Sequence, residues 1–117
     1  MSYDIDFGVK VEGTDKIIRF TSPEYANPTY NVGKIFRKCM DWDFKQGEWY
    51  KVSEVYSHIK SGLFEVQTFP YKYEKYEPTN GWGSVGTVCE TLSSVLSKIE
   101  EIEKWWELTK EHFYIKF

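Results

Sequence analysis

Every odd position from Tyr3 to Val11 is apolar (Tyr3, Ile5, Phe7, Val9, Val11), and the even positions between them are Asp4, Asp6, Gly8 and Lys10. A side-chain period of two places all five apolar groups on one face of an extended strand, so this segment demands a second layer to cover it. Glu12-Gly13-Thr14-Asp15 then supplies turn chemistry, and Lys16 to Thr21 is again rich in β-formers, which predicts an antiparallel hairpin. At the far end of the chain Phe113, Ile115 and Phe117 alternate with Tyr114 and Lys116. That pattern predicts a closing strand beside the first one.

The middle of the chain changes to helical spacing. Ser22 to Asn27, with Pro23, reads as a loop; Asn27-Pro28 has the form of an N-cap followed by proline at the first helical position. Val32, Ile35, Phe36, Cys39 and Met40 then recur at helical intervals and predict a helix over 28–40. Asp41 to Tyr50 breaks the rhythm around Gly47 and reads as an aromatic loop or short irregular hairpin. Ser53 is placed to cap a second helix with Val55, Ile59, Leu63 and Val66 on its buried stripe, ending before Pro70, although Gly62 interrupts it. Pro70 to Pro78 has no clean period and reads as loop, whereas Ser84 can cap a long third helix carrying Val85, Val88, Leu92, Leu96, Ile99 and Trp106. The expected fold is a single α+β domain over 1–117: a small antiparallel sheet of two or three strands packed on one face by about three helices.

Charge excludes some partners. Fifteen basic against eighteen acidic residues leave a net charge of −3, which does not support a broad phosphate-backbone interface, so direct nucleic-acid binding is not expected. DNA mimicry would need a continuous acidic face, and beyond Glu100, Glu101 and Glu103 the acids alternate with lysines. Cys39 and Cys89 both sit in apolar helical rhythm, as small buried hydrophobes rather than a disulfide, and suggest a reducing compartment. Met1-Ser2-Tyr3-Asp4 has neither a basic n-region nor an apolar h-region, and no apolar run approaches the ~18 residues of a membrane helix, so a cytoplasmic location without membrane contact is expected.

Reactive constellations are few. His58 and His112 are the only histidines, neither at zinc-motif spacing from a cysteine, and His58 falls opposite the buried stripe of its helix, where a solvated ring is expected. Asp4 and Asp6 share a strand face and could in principle divide acid and base work, but alternation alone makes them the solvated side of the sheet. Asp41 and Asp43 bracket Trp42 as a charged rim. No catalytic residue, metal ligand or cofactor site is expected.

Aromatics dominate instead. Eight Phe, nine Tyr and five Trp occur among 117 residues, and half of them fall between Trp42 and Trp82 in a stretch poor in aliphatics. Phe7, Phe36, Phe113, Phe117 and Trp106 belong to the core by period. Trp42, Phe44, Trp49 and Tyr50, with Tyr71, Tyr73 and Tyr76 after Pro70, form a candidate protein-binding surface, since aromatic anchors ringed by charge are what such interfaces use. Thr29, Tyr30 and Asn31 crowd a hydroxyl, a phenol and an amide at a helix mouth, and Asn80-Gly81-Trp82-Gly83 makes a tight turn before the last helix. With Arg37 these give a second candidate, a pocket of Thr29, Tyr30, Asn31, Arg37 and Trp82 able to stack a base or cradle a phosphate.

The Thr29-Tyr30-Asn31 and Asn80-Gly81-Trp82-Gly83 motifs, in that order and spacing across roughly Tyr25 to Leu96, resemble a family of small uncharacterised phage and bacterial proteins found on mobile elements. Many such proteins carry a histidine within the first motif where this chain has Tyr30. The resemblance implies counter-defence: a non-enzymatic inhibitor that binds and blocks a host defence protein, as anti-CRISPR proteins do, in the cytoplasm of an infected or prophage-carrying bacterium. The alternative it implies is sequestration of a nucleotide-derived signalling molecule. Either reading leaves room for a homo-oligomer.

Overall fold

The alternating segments from the two ends of the chain meet at the centre of one sheet. In the computed structural model, which describes residues 1–117, strands β1 (Asp6–Lys10), β2 (Ile17–Thr21), β3 (Trp49–Lys51) and β4 (Tyr114–Lys116) are all antiparallel and ordered β2-β1-β4-β3. Phe7 stands opposite Ile115, and Ile115 opposite Tyr50, on the face turned to the helices. Asp6, Lys116 and Trp49 line up across the outer face. The fold is therefore α+β as expected, with the terminal strand beside the first.

The sheet has four strands rather than two or three. The added strand is β3, taken largely from the segment expected to be an aromatic loop or short irregular hairpin; three residues are too few for a period to register, and it is the free edge of β4 that recruits them. The alternation of the first segment also outlasts β1 as a ladder. Tyr3 and Ile5 donate their amides to Pro28 O and Ala26 O, both at 2.8 Å, so the loop before the first helix serves as their partner.

Three α-helices cover the inner face: α1 (Gly33–Met40), α2 (Val52–Thr68) and α3 (Val85–Trp105). Helix α1 starts later than Pro28, because the Asn27 amide is turned to Tyr3 O and Asp4 Oδ1, and Thr29 instead caps a 3-10 turn over Tyr30–Val32. Helix α2 needs no capping side chain. Val52 and Ser53 donate their amides to Phe113 O and Lys110 O, which satisfies the orphan donors that Ser53 was expected to serve. Ser84 does cap α3, in a reciprocal box with Thr87, and Glu77 Oε2 accepts the Val85 amide at 2.7 Å. The segment after Pro70 is ordered as two 3-10 turns, Pro70–Lys72 and Glu74–Tyr76.

Helix α2 passes between α1 and α3, and Gly62 is the point of closest approach. A Cβ there would collide with Met40 Cγ and stand 3.3 Å from the Met40 backbone, so the apparent helix breaker is a packing requirement. Twenty-three buried apolar residues form one core cluster that includes Phe7, Phe36, Phe113 and Phe117. Trp106 does not join them. It ends α3, is 51% exposed, and rests edge-on against Phe20 at 4.8 Å.

Candidate functional site

Of the seven aromatics expected to face a protein partner, the structure closes two inside the core. Phe44 is 1% exposed and packs on Phe117 at 4.7 Å, while Tyr73 is 7% exposed. The Tyr73 hydroxyl donates to Glu65 Oε1 at 2.7 Å, and burial, reinforced by that carboxylate, holds its phenol far above the ordinary tyrosine range. Trp42 is half-buried in a box of Phe44, Tyr50, Phe117 and His58. His58, expected in solvent, is half-buried too: its ring stacks on Trp42 and Nδ1 lies 2.9 Å from Met40 O. The two interactions tie α2 to the last residue of α1 and to the segment that follows it.

Trp49 and Tyr50 are half-buried by opposite faces of the sheet. The Trp49 ring crosses the outer face toward β1, where Gly8 lacks the side chain that would obstruct it, and Lys116 Nζ sits 4.8 Å from the ring centroid. Tyr50 points inward; its hydroxyl accepts the Lys45 amide and donates to Glu48 Oε2, and burial raises its pKa. On the same outer face Asp6 is buried rather than solvated. Its carboxylate accepts from Arg19 Nε at 2.7 Å and Ser22 Oγ at 2.8 Å, with Lys116 Nζ at 3.6 Å. Asp4, in contrast, is exposed and bonded to Asn27, so the two carboxylates have separate partners.

What remains open is a face built from the end of α2 and the two turns after it. Glu65 O accepts the Phe69 amide and so closes the last turn of α2; Pro70 then starts the first 3-10 turn without needing an amide of its own. This geometry lifts Phe64, Phe69 and Tyr71 into a ridge, each ring edge-on to the next at 6.3 Å. Phe64 is 59% and Tyr71 65% exposed, and Lys72 Nζ lies 4.2 Å from the Phe69 centroid. The second 3-10 turn sets Tyr76 against α1, where Lys34, Lys38 and Lys75 direct their ammonium groups to within 5.0, 6.0 and 5.3 Å of its ring centroid. An open hollow of about 430 Å³ between ridge and lysines is lined by Lys38, Glu65, Tyr71, Lys72, Tyr73, Lys75 and Tyr76.

The expected ligand pocket is only partly assembled. Gly83 does pack against Thr29 and Val32, so the two motifs touch. Tyr30, however, lies edge-on to Tyr3 with its hydroxyl held by Gln46 Nε2, and Asn31 is exposed. Trp82, expected in the pocket, is 69% exposed and enters no aromatic pair. Arg37 turns the other way, to Phe44 O, the Tyr3 hydroxyl and Asp43, with its guanidinium 4.2 Å from the Phe44 centroid. It lines a different depression, of about 750 Å³, with Lys34, Lys38, Asp41, Trp42 and Asp43.

No family model, curated protein or solved structure matches this chain. No group of three or more His, Cys, Asp or Glu side chains is placed to hold a metal ion, and no helix is long and apolar enough to cross a membrane. Cys39 and Cys89 are free thiols, and burial pushes the Cys39 thiol up to about 12. Sequence reasoning missed Phe64, Phe69, Lys34, Lys38, Lys72 and Lys75. Phe64 carried a readable signal: it is a large apolar residue one position off the Val55-Ile59-Leu63-Val66 stripe, hence turned away from the core.

Proposed function

We propose that this chain acts by binding a protein partner, as a non-enzymatic inhibitor of the phage counter-defence type implied by its two motifs. The observation that supports this reading is the ridge of Phe64, Phe69 and Tyr71, exposed aromatics in mutual contact on ordered backbone. Rigid aromatic side chains deliver large contact areas at low entropic cost, and residues of this kind supply most of the energy at protein interfaces. Lys72 beside the ridge and Lys75 beyond it select a partner whose apolar recess has an acidic rim. Of the expected surface this reading keeps Tyr71 and adds Phe64 and Phe69, and it leaves out the 42–50 segment, where Phe44 is buried and Trp42, Trp49 and Tyr50 are half-buried.

Inhibition of purified bacterial defence nucleases, read as DNA cleavage, tests the proposal. Phe64→Ala with Tyr71→Ala should abolish inhibition while leaving the thermal unfolding profile intact, because both side chains stand in solvent. Unchanged inhibition by this folded double variant would remove the ridge from the mechanism.

A further inference from the structure

We infer that Lys34, Lys38, Lys75 and Tyr76 form a binding site for a small diphosphate-bearing anion. The three ammonium groups converge on one ring from two separate elements, Lys34 and Lys38 from α1 and Lys75 from the Glu74–Tyr76 turn. None of them forms an ion pair, although seven ion pairs occur elsewhere in a chain of net charge −3. Acids do occur on this side of the molecule, and three of them are engaged. Asp43 pairs with Arg37, Glu65 with Tyr73 and Lys72, and Glu77 with the first amide of α3. Asp41 and Glu74 are exposed and pair with no cation.

Lys34 and Lys38 share a depression with Asp41 and Asp43, and Lys38 and Lys75 a hollow with Glu65, yet no carboxylate pairs with any of the three ammonium groups, and such a cluster suits a ligand that brings several negative charges to it. A lone carboxylate brings one charge and is best met by the planar fork of arginine. The only nearby arginine, Arg37, is already committed to Phe44 O, Tyr3 and Asp43. Lysine instead acts as a rotatable point charge with three donors, a good match for the many acceptor oxygens of a phosphate chain. The Tyr76 ring holds the ammonium groups near it through its negative face, and its hydroxyl, which makes no hydrogen bond within the chain, adds a further donor. Lys75 is shared with the docking surface, but Lys34 and Lys38 belong to α1 and take no part in the ridge, so their removal tests this site apart from the docking reading.

Calorimetric titration of the full chain with inorganic pyrophosphate at physiological salt tests the assignment, with a nucleoside diphosphate and the corresponding phosphate-free nucleoside as parallel arms. Saturable binding of pyrophosphate is expected, weakened by about tenfold or more in Lys34→Ala/Lys38→Ala, as removal of two charge-assisted contacts implies. Lys104→Ala, which removes a single lysine lying over Trp105, should bind as the parent does. Tighter binding of the nucleoside diphosphate than of pyrophosphate, lost in the same double variant, would also support the site and name its natural source. Absence of saturable heat, affinity untouched in Lys34→Ala/Lys38→Ala, or equal binding of the phosphate-free nucleoside would overturn it. All three lysines are on the surface, and a circular dichroism spectrum identical to the parent's establishes that the variants fold.

Discussion

Gly83 packs directly against Thr29: a Cβ on Gly83 would stand 2.8 Å from Thr29 Cγ2, and closer still to Val32. The two short motifs, some fifty residues apart in the chain, are thus one structural unit in which the turn before α3 seats on the cap of the 3-10 turn before α1.

Gly83 also has φ +98°, outside what side chains tolerate, so alanine there suffers both backbone strain and a clash. Gly83→Ala should destabilise the fold by about 2–4 kcal/mol. Gly47 has a similar φ of +81° but open space around it, and Gly47→Ala should cost only about 1–2 kcal/mol of strain. Urea denaturation of the two variants separates the contact from the conformation; equal losses would show that the contact contributes nothing.

The aromatics divide sharply by stability. Phe44→Ala empties a core site in contact with Trp42, Phe36 and Phe117 and should cost about 3–5 kcal/mol. Phe64→Ala, on the exposed ridge, should change stability by less than about 0.5 kcal/mol. Chemical denaturation of both variants is the measurement, and a large loss at Phe64 would mean that the ridge is structural.

Cys39 ties stability to alkaline pH. Its folded thiol is raised by burial from the ordinary 9.0 to about 12, so the contribution is fully present below pH 9 and is lost as pH rises toward 12, where the unfolded chain ionises first. Tyr73 is raised for the same reason and acts in the same direction. Unfolding free energy should therefore fall over pH 9–12, and less steeply in Cys39→Ala. At pH 8 a thiol reagent should modify the half-buried Cys89 quickly and Cys39 only at the rate of global opening.

Asp6 anchors the outer face of the sheet. Asp6→Asn keeps one acceptor oxygen for Arg19 and Ser22 but removes the negative charge shared by Arg19 and Lys116 and turns an NH2 donor toward one of its cations, and should cost about 1–3 kcal/mol, the lower end reflecting the solvent around Arg19. Asp15→Asn, at the exposed tip of the hairpin, should leave the denaturation midpoint where it is. A matching shift in the two variants would count against the network.

Patterns with a clear period were legible. The strand faces of Phe7 and Ile115, the stripes of α2 and α3, and the Ser84 cap could all be read because burial of one face imposes a repeat on the sequence. The candidate surfaces were not legible to the same degree, since aromatic density marks a core as readily as an interface. Phe44 and Tyr73 sit among charges and glycines in the chain, yet Phe36 and Phe117 pack on the first and Glu65 of α2 holds the second, and both are buried. Phe64 and Phe69, outside every buried stripe of the sequence, stand in solvent or half in it.

The α+β composition, the alternating faces of the segments at the chain's two ends and the helical stripes follow from sequence alone, because period and caps are local properties that one segment can carry. Tertiary structure alone decided the short strand at Trp49–Lys51, the seating of Gly83 on Thr29, the burial of Asp6 and the gathering of Lys34, Lys38 and Lys75 around Tyr76. Each of these is a contact between segments distant in sequence. Nothing in either segment by itself encodes the presence of the other.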